Sequence, residues 1–172
     1  MSEQVSPLAT FYKPGWENYQ QAVTKTIATL SSEQLTLPVA PGYLSIRELL
    51  IHMISARVAW FSKWMGEEDA SVIGGSASDE SAVPGAADLV VLFEETWRVI
   101  ASAMDRWTPA DLEQRIDPLA SHQEWLRSRG EEEEPPHTRL WIVWHVMEHE
   151  IHHGGELSLA LGTHGVEGFY TW

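Results

Sequence analysis

The amino-acid sequence predicts an all-α protein, in which a bundle of four helices forms a single domain over residues 1–172. Apolar residues recur every three or four positions in four separate segments, which is the spacing of one face of an α-helix. No segment shows a convincing strand pattern of alternating apolar and polar residues. At 172 residues, of which 44% are hydrophobic, the chain is long enough to bury a core. Helices of this kind bury their apolar sides against one another, and a bundle results.

The first two helices are predicted over residues 15–30 and 45–65. The first carries apolar residues at helical spacing, namely Trp16, Tyr19, Val23, Ile27 and Leu30. The second begins with a capping box, in which the Ser45 hydroxyl and the Glu48 carboxylate satisfy free backbone amides at the helix start. Its apolar residues form more than one stripe, which is typical of a helix buried between neighbours.

The third helix is predicted over residues 86–106, between two connections of different kinds. Residues 66–86 are rich in Gly, Ser, Asp and Glu and are predicted to form a long flexible connection. After the third helix, the Thr-Pro pair at residues 108–109 has the cap and the first residue of a short helical turn. Residues 113–137 are assigned to no element, and their acidic run Glu131–Glu134 is interpreted as a solvated entry to the next helix.

The fourth helix is predicted to begin after the cap residue Thr138 and to run to Leu161, with Gly162 just past its end. The pair Gly154-Gly155 is a flaw in this helix, because each Gly costs about 1 kcal/mol relative to Ala. Such a pair is tolerable if another group must approach the backbone there. The tail after the helix, residues 163–172, ends in aromatic residues and is predicted to pack back on the bundle.

The composition excludes several classes of function. Lys and Arg total 11 against 25 Asp and Glu, and a net charge of −14 without a basic stripe disfavours nucleic acid as a partner. The chain has no cysteine, so it can form neither a disulfide nor a thiolate metal site, and thiol chemistry would need a thiol from outside. No window approaches ~20 consecutive apolar residues, and no signal-peptide pattern begins the chain, so we expect a cytoplasmic protein without a membrane partner.

Histidines on the second and fourth helices predict a metal site. His145, His149 and His153 are spaced four residues apart and share one face of the fourth helix. Two imidazoles at this spacing can bind one metal ion, and His52, which has small neighbours on the second helix, is the candidate third ligand. Three neutral nitrogen ligands with open positions are typical of a catalytic site. The alternatives are a histidine-rich solvated face and, for His52, a hydrogen-bonded core residue.

Other residues near this set have less defined roles. His145 is the candidate catalytic residue, because it lies one turn before His149 and could bind a substrate or act as a base. The alternative is that it faces the bundle interior as a satisfied polar residue. Glu148, Glu150 and Glu156 are candidate acceptors for imidazole N–H groups, although a plain solvent-facing carboxylate is expected for any one of them.

A rival motif uses the same histidines. Residues 149–153 match H-E-x-x-H, the zincin signature, in which Glu150 would be the general base. The longer zincin pattern continues with a Gly and a His, but this chain has Glu156 and Leu159 at those positions. The sheet that zincins require is also not predicted, so this interpretation is the weaker one.

The two histidine motifs together resemble the DinB/YfiT-like superfamily. Residues 45–52 read Ser-Ile-Arg-Glu-Leu-Leu-Ile-His, and residues 149–157 read His-Glu-Ile-His-His-Gly-Gly-Glu-Leu. The resemblance implies an antiparallel four-helix bundle that carries a divalent metal, zinc or nickel, on His52, His149 and His153. It covers the chain from the first helix to Gly162.

The resemblance also implies a range of activities. Members include S-transferases that use a low-molecular-weight thiol, a thiol-dependent isomerase and metal-dependent hydrolases, and many are dimers. We therefore expect a metal-dependent enzyme that activates a thiol or a water toward a small-molecule substrate, with a homodimer compatible with the family. The alternative is a non-catalytic, stress-related metal- or ligand-binding bundle. The family usually has Arg-Gly-Gln after the last histidine, whereas this chain has residues 154–156 as Gly-Gly-Glu, which removes a cation and adds an acid.

Overall fold

The computed structural model describes residues 10, 12–67 and 83–169, and these residues are mostly helical, as predicted. The helices in chain order are α1 Lys13–Ile27, α2 Ile46–Arg57, α3 Ala86–Arg106, α4 Pro109–Leu112, α5 Ala120–Ser128 and α6 Arg139–Thr163. A two-stranded antiparallel sheet pairs β1, Arg115–Ile116, with β2, His137–Thr138. No helix among the described residues is long and apolar enough to cross a membrane.

The beginnings of the helices follow the capping signals of the sequence. At the start of α2 the Ser45 N–H donates to the Glu48 carboxylate at 2.7 Å, and the Glu48 N–H donates to the Ser45 hydroxyl at 3.2 Å. Thr108 and Asp111 form the same reciprocal pair at the start of α4. The third helix has the predicted bounds. These signals were reliable because a capping box is made by residues three positions apart and needs no tertiary contact.

The second helix changes its geometry half-way. A π-helical segment, Val58–Trp64, continues α2 to nearly the predicted end at residue 65. Trp60 and Trp64 stack on each other along it, with ring centroids 4.2 Å apart and ring planes 11° apart. Phe61 points into the core and is 1% exposed. The segment therefore presents two indoles on one side while still burying a third ring.

Residues 113–137 contain structure that the sequence did not predict. Both β-strands are only two residues long, too short to show an alternating pattern. The helix α5 is joined to the acidic run by the Gln123 side chain, which makes two hydrogen bonds with the backbone of Glu134. The acidic run itself is exposed or half-exposed and lies outside any helix, as interpreted.

The end of α6 lies beyond the predicted one. The helix passes through Gly162 and ends at Thr163, and Gly165, with φ of 72°, is the residue that terminates it. The Gly165 N–H donates to the Gly162 carbonyl at 3.1 Å, and the Val166 N–H donates to the Leu161 carbonyl at 2.9 Å. This is a Schellman motif, which requires a left-handed residue three positions later than we predicted.

Gly154, in the middle of α6, is explained by the approach of α1. A Cβ at Gly154 would lie 2.1 Å from the Tyr19 hydroxyl oxygen, whereas a Cβ at Gly155 would meet nothing within 4 Å. The Tyr19 hydroxyl donates to the Glu150 carbonyl at 2.6 Å. The condition under which a glycine is tolerable in this helix is therefore met at Gly154 and not at Gly155.

Two apolar clusters make up the core. The first cluster contains Trp16, Phe61, Met65, Val99, Ile100, Ala103, Met104, Trp107, Leu112, Ile142, Val143 and Val146. The second cluster contains Val23, Ile27, Leu30, Leu35, Ile46, Leu49, Leu50, Met53, Ile54, Leu89, Phe93, Leu157 and Leu161. The described part of the tail packs on the second cluster through Val166 and Phe169, as expected.

The order of the clusters along the chain gives the direction of each long helix. Along α1 the chain passes from the first cluster (Trp16) to the second (Val23), and along α6 it does the same (Val146 to Leu157). Along α2 and α3 the order is reversed. The contacting pairs α1–α3 and α2–α6 are therefore antiparallel, whereas α2 and α3 are parallel. Parallel neighbours need a connection that returns the chain, which explains why the α2–α3 connection is long; its residues 68–82 lie outside the described residues.

A polar layer separates the two clusters. It is made by four buried polar side chains, one from each long helix: Gln20, Arg57, Thr96 and Glu150. Glu150 is 0% and Arg57 1% exposed, and the guanidinium binds both carboxylate oxygens. A buried charge is tolerated only when it is paired and hydrogen-bonded. The layer therefore ties the four long helices together at one level.

We predict that Gly154→Ala and Gly155→Ala have opposite effects on stability. Alanine at 154 displaces the Tyr19 hydroxyl and should lower the free energy of unfolding by about 1–3 kcal/mol. Alanine at 155 lies in open, exposed helix and should raise it by about 0.5–1 kcal/mol. Urea unfolding followed by circular dichroism measures both. Equal shifts in the same direction would contradict the role of Tyr19.

We predict that Glu150→Leu lowers the free energy of unfolding by about 3–5 kcal/mol, because it leaves the buried Arg57 guanidinium without its counter-charge. Lys13→Ala is the control, since Lys13 pairs with Asp105 at 2.6 Å on a more exposed surface. Its loss should cost about 1 kcal/mol or less. The same unfolding experiment tests both variants, and a Glu150→Leu protein as stable as Lys13→Ala would refute the prediction.

Candidate metal centre

The structure brings together the three histidines that the sequence predicted as ligands. His52 lies on α2, and His149 and His153 lie one turn apart on the neighbouring α6. One nitrogen of each ring lies within 4.8 Å of those of the other two. The ring centroids are 4.8 Å apart for His52–His149 and His52–His153, and 4.4 Å apart for His149–His153. These rings form a three-histidine cluster in the groove between α2 and α6.

The spacing within the cluster suits one bound cation. The Nε2 atoms of His52 and His149 are 2.9 Å apart. Two nitrogens that each lie about 2.0–2.1 Å from one ion, at an angle of about 90–110°, are about 2.9–3.4 Å apart. Without an ion the same distance fits a hydrogen bond, in which one Nε2–H donates to the other nitrogen. The His52–His149 pair therefore already has the spacing of two ligands of one divalent ion, and the His153 nitrogen lies within 4.8 Å of both.

Glu156 orients one of the three rings. Its carboxylate accepts a hydrogen bond from His153 Nδ1 at 2.7 Å, which leaves Nε2 as the ring nitrogen that can bind a metal. This is the carboxylate–histidine arrangement that fixes the tautomer of metal ligands. The other Glu156 oxygen lies 3.3 Å from His152 Nε2, and the His152 side chain is 60% exposed and outside the cluster.

The cluster is open on one side, and burial keeps two of its rings neutral. His52 is exposed, whereas His149 and His153 are half-buried. Burial, followed by the repulsion of His153 and His52, lowers the pKa of His149 to about 4. Burial is also the main cause that lowers the pKa of His52. Neutral imidazole is the form that binds metal, so these two rings are already in the ligating state at neutral pH.

His145 is one turn from the cluster and does not belong to it. Its ring is half-buried, lies parallel to Trp141 at 4.9 Å and meets Trp60 edge-on at the same distance. Burial lowers its pKa, and the nearby Glu148 only partly offsets this effect. The ring is therefore held in place by two indoles, and as a neutral imidazole it can accept a proton.

A row of aromatic rings, those of His137, Trp141, Trp60 and Trp64, continues from His145 away from the cluster, and it was not predicted from the sequence. Trp141 stacks on His137 at 3.6 Å, and Trp60 stacks on Trp64. The available signal was the spacing: His137, Trp141, His145 and His149 follow one another at four-residue steps. Such a run places Trp141, His145 and His149 along one line of the α6 surface, and His137 precedes the helix on β2.

Glu150 has a role different from the expected ones. It was expected to accept from a ligand imidazole or to face solvent, but its carboxylate is fully buried in the polar layer. Both oxygens are engaged by Arg57, and Trp16 Nε1 also donates to one of them at 2.9 Å. A carboxylate held in this way is not available as a general base. The zincin interpretation, which needs that base, is therefore not supported.

The fold and the histidine cluster define a helical protein with a candidate metal centre between two helices. The chain belongs to the DinB family, whose family model matches residues 1–169. The family resemblance expected from the sequence is thus confirmed. A search of curated proteins finds no match.

Solved structures with similar folds include proteins from several bacteria. A DinB-like protein from Bacillus cereus has a TM-score of 0.66 at 16% identity, with 92% of this chain and 94% of that chain covered. A DinB-like protein from Bacillus subtilis has a TM-score of 0.61 at 17% identity, with 93% of each chain covered. A conserved protein from Enterococcus faecalis has a TM-score of 0.62 at 14% identity, with 87% of this chain and 95% of that chain covered. At these identities the similarity establishes the fold alone.

Proposed function

We propose that His52, His149 and His153 hold one divalent metal ion, zinc or nickel, and that the protein is a metal-dependent enzyme of the DinB family. The observation that carries the proposal is the convergence of three imidazole nitrogens from two helices within 4.8 Å. The lowered pKa values of His52 and His149, which favour the neutral ligating form, and the Glu156 hydrogen bond to His153 support it. Imidazole ligands suit both metals, so the ligand set alone does not choose between them.

The bundle that carries this site is proposed to be the antiparallel four-helix type of the family, in one domain over residues 1–172. The helices α1, α2 with its π-helical extension, α3 and α6 are its four members. The antiparallel contacts of α1 with α3 and of α2 with α6 support this assignment.

An open site supports catalysis over a purely structural ion. Within the described residues, the group that could hold the ion around His52 has three members, all histidines. A structural zinc site usually has four protein ligands, whereas a catalytic one keeps a position for water or substrate. We expect that position to face solvent, because His52 is exposed.

The reaction proposed is the activation of a low-molecular-weight thiol for S-transfer, or of a water for hydrolysis, on a small-molecule substrate. The ion supplies its positive charge, which lowers the pKa of a bound thiol or water. His145 is proposed as the base that takes the released proton, since its ring is neutral, half-buried and held by Trp60 and Trp141. The two reactions share these residues and differ in the nucleophile.

We predict about one divalent ion per chain in the purified protein, lost in His149→Ala and retained in His152→Ala. His149 belongs to the three-histidine cluster, whereas His152 belongs only to a second group with His153 and Glu156. Elemental analysis of the two variants and the parent protein measures the ratio. Loss of the ion in His152→Ala but not in His149→Ala would place it in the second group and refute the proposed site.

We predict metal-dependent thiol transfer to an electrophile such as monobromobimane, and a rate lowered about 10²–10⁴-fold in His145→Ala with the metal content unchanged. Because burial lowers the pKa of His145, the base stays active below the ordinary histidine pKa and is lost only at more acidic pH. A pH–rate profile of the parent protein and the variant checks this. If no tested thiol is accelerated, hydrolysis is the remaining reaction, and if neither occurs the protein is a non-catalytic metal-binding bundle.

A further inference from the structure

The Arg57 guanidinium uses all of its hydrogen-bond donors inside the polar layer. Nε and Nη2 donate to the two carboxylate oxygens of Glu150, and Nη2 also donates to Gln20 Oε1 at 2.7 Å. Nη1 donates to the Phe93 carbonyl at 3.0 Å and to the Thr96 hydroxyl at 3.3 Å. These five bonds match the five N–H groups of an arginine side chain. The group is therefore satisfied in only one arrangement of its four neighbours.

Arg57 and Glu150 both lie close in sequence to the candidate ligands, Arg57 on α2 and Glu150 on α6. Arg57 follows His52 by five residues on α2, about 7–8 Å along the helix. Glu150 is the immediate neighbour of His149 on α6 and precedes His153 by three residues. The ion pair and the three-histidine cluster thus join the same two helices within about a turn and a half of each other.

Apolar packing alone would fix the position of α6 along α2 less strictly. A shift of α6 along α2 by one residue is a movement of about 1.5 Å. The hydrophobic effect is non-directional and depends on the apolar area that is buried, whereas a hydrogen bond needs a donor–acceptor distance of about 2.7–3.2 Å and near-linear geometry. The paired bonds between the guanidinium and the carboxylate add a planar constraint that a single bond lacks.

We propose that Arg57 and Glu150 are positioning residues for the metal centre: their paired bonds set the register of α2 against α6 and so hold His52 within ligand distance of His149. The metal part of this inference rests on the proposed function. Replacing a buried ion pair by apolar residues often preserves stability, so the role of the pair in register can be separated from its role in folding.

The test compares Arg57→Met/Glu150→Leu with a matched control, Lys13→Met/Asp105→Leu, which removes an exposed ion pair between α1 and α3. Zinc and nickel affinities are measured by competition with a chromogenic chelator, and urea unfolding monitors stability. In metal-free protein, the nuclear Overhauser effect between the imidazole rings of His52 and His149, whose centroids lie 4.8 Å apart, reports the register directly.

We expect the Arg57→Met/Glu150→Leu protein to fold but to bind metal about 10–100-fold more weakly and to lose the ring–ring effect, as is found when groups that orient ligands are removed. The control variant should keep the metal affinity and the ring–ring effect of the parent protein. Parent-like affinity and an intact ring–ring effect in the folded double variant would overturn the proposal.

Two further outcomes remain decisive. If the double variant does not fold, the single variant Arg57→Lys is measured instead, because lysine keeps the charge but cannot form the two parallel bonds. An unchanged ring–ring effect in Arg57→Lys would overturn the proposal. If the parent protein binds neither zinc nor nickel, the proposed function fails, and the metal-free ring–ring measurement still decides whether the pair sets the register.

Discussion

The buried ion pair between Arg57 and Glu150 is the constraint on which the arrangement of the long helices depends. Two charged side chains with at most 1% exposure lie between two apolar clusters, where an unpaired charge would be very costly. They are tolerated because Gln20, Thr96 and the Phe93 carbonyl complete their hydrogen bonds. Those partners come from α1 and α3, so all four long helices must meet at this layer.

The candidate metal centre uses the same two helices but faces the outside. His52 is exposed and the rings of His149 and His153 are half-buried, so the cluster combines a rigid inner support with an open outer side. Glu156 orients His153 from the surface. Catalytic sites need this combination, because ligands must be held within fractions of an ångström while substrate still reaches the ion.

The parts of the fold that were predicted correctly depend on local interactions. The capping box at Ser45 and the cap at Thr108 involve residues within three positions of each other, and the four long helices repeat their apolar residues over several turns. The strands β1 and β2 were missed because two residues carry no period. Gly162 was predicted as the glycine that terminates α6, whereas Gly165 has this role. Several glycines near a helix end are compatible with termination, and the sequence does not show which of them adopts the left-handed conformation.

The sequence by itself determined the helical class, the DinB family and the histidines of the candidate centre, because ligand spacing along a helix and matching motifs are properties of the chain alone. Only the tertiary structure decided the roles of Glu150 and Gly154. Arg57 is 93 residues from Glu150 along the chain, and Tyr19 approaches Gly154 from another helix. A carboxylate beside a histidine motif therefore looks like a surface or metal-site residue until the packing of four helices shows that it faces the core.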